Sequence, residues 1–113
     1  MTIITDELMQ QMLSTTKNYS IVLLKPGPAA KTTPDIKKIV WEHARRNFAL
    51  RAEGVLSIVC PVTAETSLSG LYIFDAGTEQ ATQIMEGDPA VQTGVFIFEV
   101  HPCKSFPGDS LRG

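Results

Sequence analysis

The sequence has little cysteine and no long apolar run, and each shortage excludes a class of protein. Its two cysteines, Cys60 and Cys103, are too few for a disulfide scaffold, and they lack the CxxC spacing of redox and zinc sites. No apolar stretch approaches the ~20 residues that a membrane-spanning helix needs. Residues 1–14 contain acids but none of the basic residues that a secretory signal carries. These shortages predict a reduced, cytoplasmic protein with no membrane partner.

Positive charge is also in short supply. The chain has 10 Lys and Arg against 12 Asp and Glu, which gives a formal net charge of −2. Because general nucleic-acid binders are strongly basic, no nucleic-acid partner is expected. Residues 52–103 contain no Lys or Arg, whereas the basic residues concentrate in 31–51. This asymmetry either steers a small charged ligand or reflects two helices with complementary solvated faces.

The common cofactor and nucleophile motifs are missing too. The sequence contains no Walker, Rossmann or GxSxG pattern, and Lys25-Pro-Gly-Pro has too few glycines to hold a phosphate. Its two histidines and two cysteines are scattered without the spacing of metal ligands. We therefore expect neither a metal nor an organic cofactor.

The composition that remains is that of one globular domain: 113 residues, 43% of them hydrophobic and 19% charged. A short amphipathic helix is predicted over 5–14, with Thr5 as its cap, inside an N-terminal extension of residues 1–18. Residues 19–103 form the predicted domain. The tail 104–113 contains Pro107-Gly108 and is expected to be irregular.

Hydrophobic periodicity orders the domain as strand, helix, strand, strand, helix, strand. The predicted strands are 19–25, 55–62, 71–76 and 95–101, and the predicted helices are 33–53 and 78–86, with one more turn over 90–93. This βαββαβ order predicts an α+β, ferredoxin-like fold with a four-stranded antiparallel sheet and both helices on one face.

The first domain helix shows both a start signal and a buried face. Thr33 is expected to cap it, Pro34 to occupy its first position and Asp35 to meet its positive end. The predicted outward face holds Lys37, Lys38, Arg45 and Arg46. The predicted buried face consists of Ile36, Ile39, Val40, His43, Ala44, Asn47 and Phe48.

The strands are apolar on both faces, which bears on assembly. Ile21 and Leu23 alternate with Val22 and Leu24 in the first strand, and Val55 and Val59 alternate with Leu56 and Ile58 in the second. Only one sheet face can lie under the helices, and the other would expose more apolar surface than a monomer normally tolerates. We expect a homodimer that pairs through the sheet face opposite the helices. The N-terminal helix is the alternative cover.

Two polar residues are candidates for chemistry. His43 lies on the apolar face of the long helix, and a histidine in a cleft can act as general acid or base. The alternative is a core histidine that hydrogen-bonds a backbone carbonyl. Asp88 precedes Pro89 and is either the N-cap of the turn that follows or a residue that faces a pocket. His101, at the end of the last strand, is expected at the rim, and Trp41 is expected to be packing or a pocket wall.

Three segments carry a family resemblance. They are Gly70-Leu-Tyr-Ile-Phe-Asp-Ala, Gly87-Asp-Pro-Ala-Val-Gln-Thr-Gly and Val95-Phe-Ile-Phe-Glu-Val-His-Pro. Together with the histidine in Trp41-Glu-His-Ala-Arg, they resemble the YCII-related family over about residues 19–103. The resemblance implies a dimeric α+β barrel in which His43 and Asp88 form a pair in a cleft. Most of that family has no known activity. One branch is a dehydrochlorinase of a chlorinated hydroxyquinol, and related barrels include muconolactone isomerases and small monooxygenases.

Two functions follow from these expectations. The first is a lyase or isomerase in which His43 moves a proton on a small cyclic or aromatic substrate, while Asp88 orients the imidazole and supports its charged form. The second is a non-catalytic domain that binds a small molecule in the same cleft or serves as an accessory dimer. An open pocket beside a hydrogen-bonded pair favours the first, and a closed, packed His43 favours a structural role.

Overall fold

A computed structural model describes all of residues 1–113. The chain has four strands and four helices. In chain order they are α1 (Asp6–Leu13), β1 (Lys17–Pro26), α2 (Ile36–Ala52), β2 (Leu56–Pro61), β3 (Gly70–Phe74), α3 (Thr78–Glu86), α4 (Pro89–Gln92) and β4 (Phe96–Ser105). None of the helices combines the length and the apolar character required to cross a membrane.

The four strands form one antiparallel sheet in the order β2-β3-β1-β4. The predicted α+β fold of βαββαβ order is therefore confirmed. The core lies between the sheet and the helices, and alternate residues of the strands point into it. It consists of Val22, Leu24, Leu56, Tyr72, Phe74, Ala81 and Met85. The predicted division of β1, with Val22 and Leu24 on one face and Ile21 and Leu23 on the other, is also confirmed.

The last strand is longer than the sequence predicts. Pro102 was expected to end it, yet β4 continues to Ser105, and Lys17 at the start of β1 pairs with Ser105. A proline has no backbone N–H to donate, and an interior strand needs N–H donors toward the neighbouring strand on each side. Because β4 is an edge strand, it tolerates Pro102. The ordered sheet thus extends beyond 19–103 in both directions.

A bulge in β2 overturns the predicted faces of that strand. Leu56 pairs with Phe74, but Ile58 pairs with Ile73 and Val59 with Tyr72, so the register shifts between Leu56 and Ile58. The extra residue reverses the alternation. Leu56 consequently faces the helices, whereas Ile58 lies on the opposite face of the sheet. The sequence predicted that both would lie on the same face.

The start of α2 also differs from the prediction. The helix begins at Ile36, and Asp35 precedes it in the left-handed region with φ of 56° and no side-chain cap bond. The Thr33 hydroxyl donates instead to the Ala29 carbonyl, at 2.6 Å. Since Thr33 serves the preceding turn, it does not cap the helix. The predicted cap at Thr33 and the predicted helical position of Pro34 are wrong, whereas Asp35 does stand at the positive end of the helix, as its N-cap residue.

The buried face of α2 is rotated relative to the predicted one. His43 and Asn47 are buried, as expected, but Phe48 is 62% exposed. Arg46, predicted to face solvent, is half-buried. α2 packs chiefly on β2 and α4, with His43 and Asn47 reaching Tyr72 of β3, so the contact face is a narrow arc and the apolar residues on its flank stay uncovered.

The sheet face opposite the helices, called the far face below, has an apolar centre. Ile21, Leu23, Leu71 and Ile73 are half-buried there, and Ile97 is 48% exposed. The N-terminal helix does not cover it, because every residue of α1 is exposed. The tail crosses one end of this face and encloses a cavity of about 560 Å³. The cavity wall includes Tyr19, Ile58, Ile73, Phe106 and Leu111.

A close backbone approach at Gly27 yields a first prediction. A Cβ on Gly27 would lie 2.2 Å from the Gly94 carbonyl oxygen, where the end of β1 meets the turn before β4. Gly27→Ala should therefore lower the free energy of unfolding by about 1–3 kcal/mol, measured by urea denaturation. The control is Gly77→Ala, whose Cβ would meet no atom within 4 Å. Equal stability of the two variants would contradict the close approach.

Candidate active site

His43 and Asp88 meet in the core between α2 and the start of α4. His43 Nδ1 lies 2.6 Å from Asp88 Oδ2, although 45 residues separate the two in sequence. The His43 side chain is 8% exposed and that of Asp88 is 0% exposed. A carboxylate so fully removed from water requires hydrogen-bond donors, and the imidazole supplies one of them.

Of the two roles that its sequence context left open, Asp88 performs the N-cap role, and it also contacts His43. It is the N-cap of α4, where its Oδ1 accepts a hydrogen bond from the Ala90 backbone N–H at 2.8 Å. Its Oδ2 is the atom that faces His43. The cap therefore fixes the carboxylate rigidly, and Pro89 at the first helical position restricts the backbone beside it.

Two residues that the sequence did not assign to the site extend the pair. The Tyr72 hydroxyl lies 2.9 Å from His43 Nε2, and Asn47 Nδ2 donates to the same hydroxyl at 3.1 Å. Every group in this chain is satisfied when Nδ1 donates to Asp88 and Nε2 accepts from Tyr72. The result is a continuous buried chain from Asp88 through His43 to Tyr72.

Tyr72 stays protonated in this environment. Burial raises the pKa of the Tyr72 phenol to about 12, the negative charge of Asp88 adds to the effect, and the Asn47 hydrogen bond opposes it. The phenol is thus neutral at physiological pH. It can donate its proton to Nε2 and accept another on the same oxygen.

The site is closed in the single chain. His43 is 6% exposed, its ring packs against Phe96 with centroids 5.0 Å apart, and Tyr72 is 2% exposed. Neither of the two main cavities is lined by His43 or Asp88. The pair is present, but neither of these two cavities opens onto it.

Arg46 lies next to the site. Its Nη2 is 2.8 Å from the position that a Cβ on Gly87 would take, and its Nη1 is buried without a hydrogen-bond partner. Arginine keeps its charge in a protein interior. A positive charge therefore stands beside the backbone that leads into Asp88, on the side of the helix that the sequence assigned to solvent.

The other sequence candidates lie elsewhere. His101 is exposed on the far face, opposite Ile21, and its Nε2 is 3.2 Å from Glu99 Oε2. Lys25 and His101 together lower the pKa of the Glu99 carboxyl, with Lys25 the larger cause. Cys60 and Cys103 are both free. No group of three His, Cys, Asp or Glu side chains is arranged to hold a metal ion.

Partial signals for the two missed residues were present in the sequence. Asn47 follows His43 by four residues, so both lie on one side of a helix. Tyr72 shares the strand parity of the core residue Phe74, and a buried tyrosine hydroxyl needs a partner. These signals do not show that β3 packs beneath α2, because that packing belongs to the tertiary structure.

Comparison with known proteins agrees with this architecture. The family model of the YCII-related domain matches residues 19–104. No curated protein matches the chain. Among solved structures, the 5-chloro-2-hydroxyhydroquinone dehydrochlorinase TftG from Burkholderia phenoliruptrix AC1100, in complex with 2,5-dihydroxybenzoquinone, aligns with a TM-score of 0.52. The two share 16% identity, over 74% of this chain and 90% of that one, so the likeness concerns the fold.

Proposed function

The chain belongs to the YCII-related domain family, and from that premise we propose that it is a cofactor-independent lyase or isomerase. His43 moves a proton on a small cyclic or aromatic substrate, and Asp88 orients the imidazole and supports its charged form. The observation that carries this proposal is the buried chain of hydrogen bonds from Asp88 through His43 Nδ1 and Nε2 to the Tyr72 hydroxyl.

This series of hydrogen bonds sets the direction in which the proton moves. With Nδ1 held by Asp88, the free lone pair of His43 is on Nε2, where a general base needs it. The Tyr72 oxygen occupies that position at rest. It either relays the proton, by accepting one from substrate as it donates its own to Nε2, or turns away to admit the substrate. In a lyase a leaving group departs as the C–H bond breaks, and in an isomerase the proton returns at another carbon.

The substrate class takes support from the structural comparison. TftG is named for the dehydrochlorination of a hydroxyquinol and is seen with 2,5-dihydroxybenzoquinone. A small oxygenated ring also suits this chain, because hydroxyl and carbonyl groups flanking a C–H bond make it acidic enough for a histidine base. Small hydroxyquinones and cyclic enols are therefore the first probes.

Hydrogen exchange tests the proposal without knowledge of the natural product. We expect the protein to speed the replacement of an acidic C–H by deuterium in a panel of these probes, followed by NMR in D₂O. His43→Gln should slow the exchange by about 10²- to 10⁴-fold, the usual contribution of a general base. Gln80→Ala, on the exposed surface of α3, is the control. Full exchange activity in His43→Gln would overturn the assignment.

A non-catalytic binding domain is the second candidate. The observation that favours it is the closure of the site: with His43 only 6% exposed, the pair has a structural role and any small molecule would bind elsewhere on the domain. A domain of this kind would raise its melting temperature in the presence of a probe and leave the probe's C–H bonds unexchanged. Thermal shift and NMR exchange on the same panel therefore separate the two functions.

The homodimer belongs to the proposal as well. Its support is the apolar centre of the far face, which the chain's own helices leave uncovered, together with the fold shared with TftG. A location in the cytoplasm, in keeping with two free cysteines, likewise remains a prediction, and cell fractionation tests it.

A further inference from the structure

The N-terminal helix presents an apolar stripe that its own chain leaves unpartnered. Thr5 caps α1, where its Oγ1 accepts from the Leu8 backbone N–H at 3.2 Å, so the helix is locally well formed. None of its residues is buried. The stripe, 38–55% exposed, consists of Leu8, Met9, Met12 and Leu13. A short isolated helix is marginal in water, which suggests that α1 packs against a surface outside its own chain.

A second apolar surface is exposed on α2. Trp41 is 66% exposed, and Phe48, which is 62% exposed, also borders the cavity beneath the tail. Trp41 lies in a shallow groove of about 410 Å³, whose wall is formed by Ile36, Lys37, Val40, Trp41 and Ala44. We call this groove together with Phe48 the α2 flank. Large aromatic residues grouped on a surface in this way mark an interaction site.

The two surfaces match in spacing, length and charge. Both repeat apolar residues every four positions, at Leu8 and Met12 and at Val40 and Ala44, which is the spacing that lets ridges of one helix fit grooves of another. The eight residues of α1 are about 12 Å long, and the α2 flank is about 18 Å long. The first turn of α1 carries Asp6 and Glu7 with no basic residue, whereas Lys37 borders the groove.

We infer that α1 of one copy packs on the α2 flank of a second copy, with Trp41 at the centre of the contact. The chain's own α1 is tethered too short for this contact. Residues 14–16 join it to β1 and span about 10 Å. The part of α2 near Trp41, by contrast, packs over Phe96, which pairs with Pro26 at the opposite end of β1, about 30 Å from Lys17.

Trp41 is the only tryptophan, so its fluorescence reports the contact directly. In the full chain at high concentration we expect blue-shifted emission and weak quenching by acrylamide. Both should revert on dilution, as Trp41 becomes exposed. Leu8→Asp/Met12→Asp should remove the blue shift at every concentration. Circular dichroism of this double variant checks that the domain is folded. An emission spectrum that the double variant leaves unchanged would overturn the inference.

A mixing experiment distinguishes exchange between copies from folding back within one copy. One protein is Leu8→Asp/Met12→Asp, which keeps Trp41 and lacks a functional α1. The other is Trp41→Phe, which keeps α1 and is silent in tryptophan fluorescence. If α1 packs on a second copy, adding the second protein should blue-shift the emission of the first. No shift on mixing would contradict packing between copies.

Charge reversal supplies an independent check of the orientation. Lys37→Glu should raise the concentration at which Trp41 becomes covered by about two- to five-fold, the worth of an exposed ion pair. Adding Asp6→Lys and Glu7→Lys to the same chain should restore the original midpoint. Glu79→Lys, on the exposed first turn of α3, is the matched control. Failure of the rescue would show that the acids of α1 do not face Lys37. These readouts do not involve proton transfer, so they stand or fall apart from the proposed enzyme.

Discussion

Asp88→Ala should lower the free energy of unfolding by about 2–5 kcal/mol, the combined cost of a buried donor left unpaired and of a lost N-cap. The variant loses the 2.6 Å contact with His43 Nδ1 and the 2.8 Å cap bond from Ala90. It leaves a buried imidazole N–H and a helix end without acceptors. Urea denaturation measures the change in the free energy of unfolding. A loss of less than about 1 kcal/mol relative to wild type would show that the pair contributes little.

Asp88→Asn separates stability from chemistry. The amide oxygen can still cap α4, so the expected cost is smaller, about 1–3 kcal/mol. Its NH₂ group, however, now faces Nδ1 as a donor and forces the proton of His43 onto Nε2, the wrong tautomer for a base. Probe exchange should fall by about 10²- to 10⁴-fold, and ¹⁵N shifts of the imidazole report the tautomer directly.

Asp75→Asn is the matched control for both Asp88 variants. Asp75 pairs with Lys17 at 2.8 Å, but its side chain is 42% exposed. Asp75 raises the pKa of the Lys17 ammonium, chiefly through their hydrogen bond, yet solvent screens the interaction. Only a small loss of stability is therefore expected in Asp75→Asn. Retained exchange activity in Asp88→Asn, with His43 shown to carry its proton on Nε2, would contradict the role given to Asp88.

Leu23→Asp should convert the proposed homodimer into a monomer. Leu23 lies at the centre of the far face, between Leu71 on β3 and Glu99 on β4. In a symmetric pair the new carboxylate would be buried near its own copy and near Glu99, with no positive partner. A penalty of about 3 kcal/mol per dimer corresponds to a rise of about 10²-fold in the dissociation constant.

Sedimentation or light scattering measures this outcome over a range of concentrations. Gln83→Asp, which adds the same charge to the exposed surface of α3, is the control and should stay dimeric. The pair should also be compared in the Leu8→Asp/Met12→Asp background, so that α1 does not hold the copies together. A Leu23→Asp protein that remains dimeric in that background, or a wild type that is monomeric throughout, would refute the far-face interface.

The position of the tail limits which part of the far face could form the proposed dimer interface. Residues 105–111 run beside Tyr19, Ile58 and Ile73, and so occupy one end of the far face. Leu23, Leu71 and Ile97 lie away from this cavity wall and remain open to a partner.

Much of the architecture was predictable because it depends on local spacing. The cap of α1 at Thr5, the bounds of α3 at Thr78–Glu86 and the βαββαβ order all follow from capping residues and hydrophobic period within a few turns of chain. His43 and Asp88 were identified in the same way, from a polar residue on an apolar helix face and an Asp-Pro pair. Their meeting was expected only from the family resemblance.

The sequence by itself determined which faces of the elements are apolar, and with them the layered fold and the two-sided sheet. Only the tertiary structure decided which polar atoms meet. Tyr72 closes over His43 Nε2 because β3 passes beneath α2, Phe48 is exposed because α2 packs along a narrow arc, and Pro102 is tolerated because β4 is an edge. The physical reason is range: periodicity and caps act over a few residues, whereas hydrogen bonds between buried side chains depend on how separate elements pack in three dimensions.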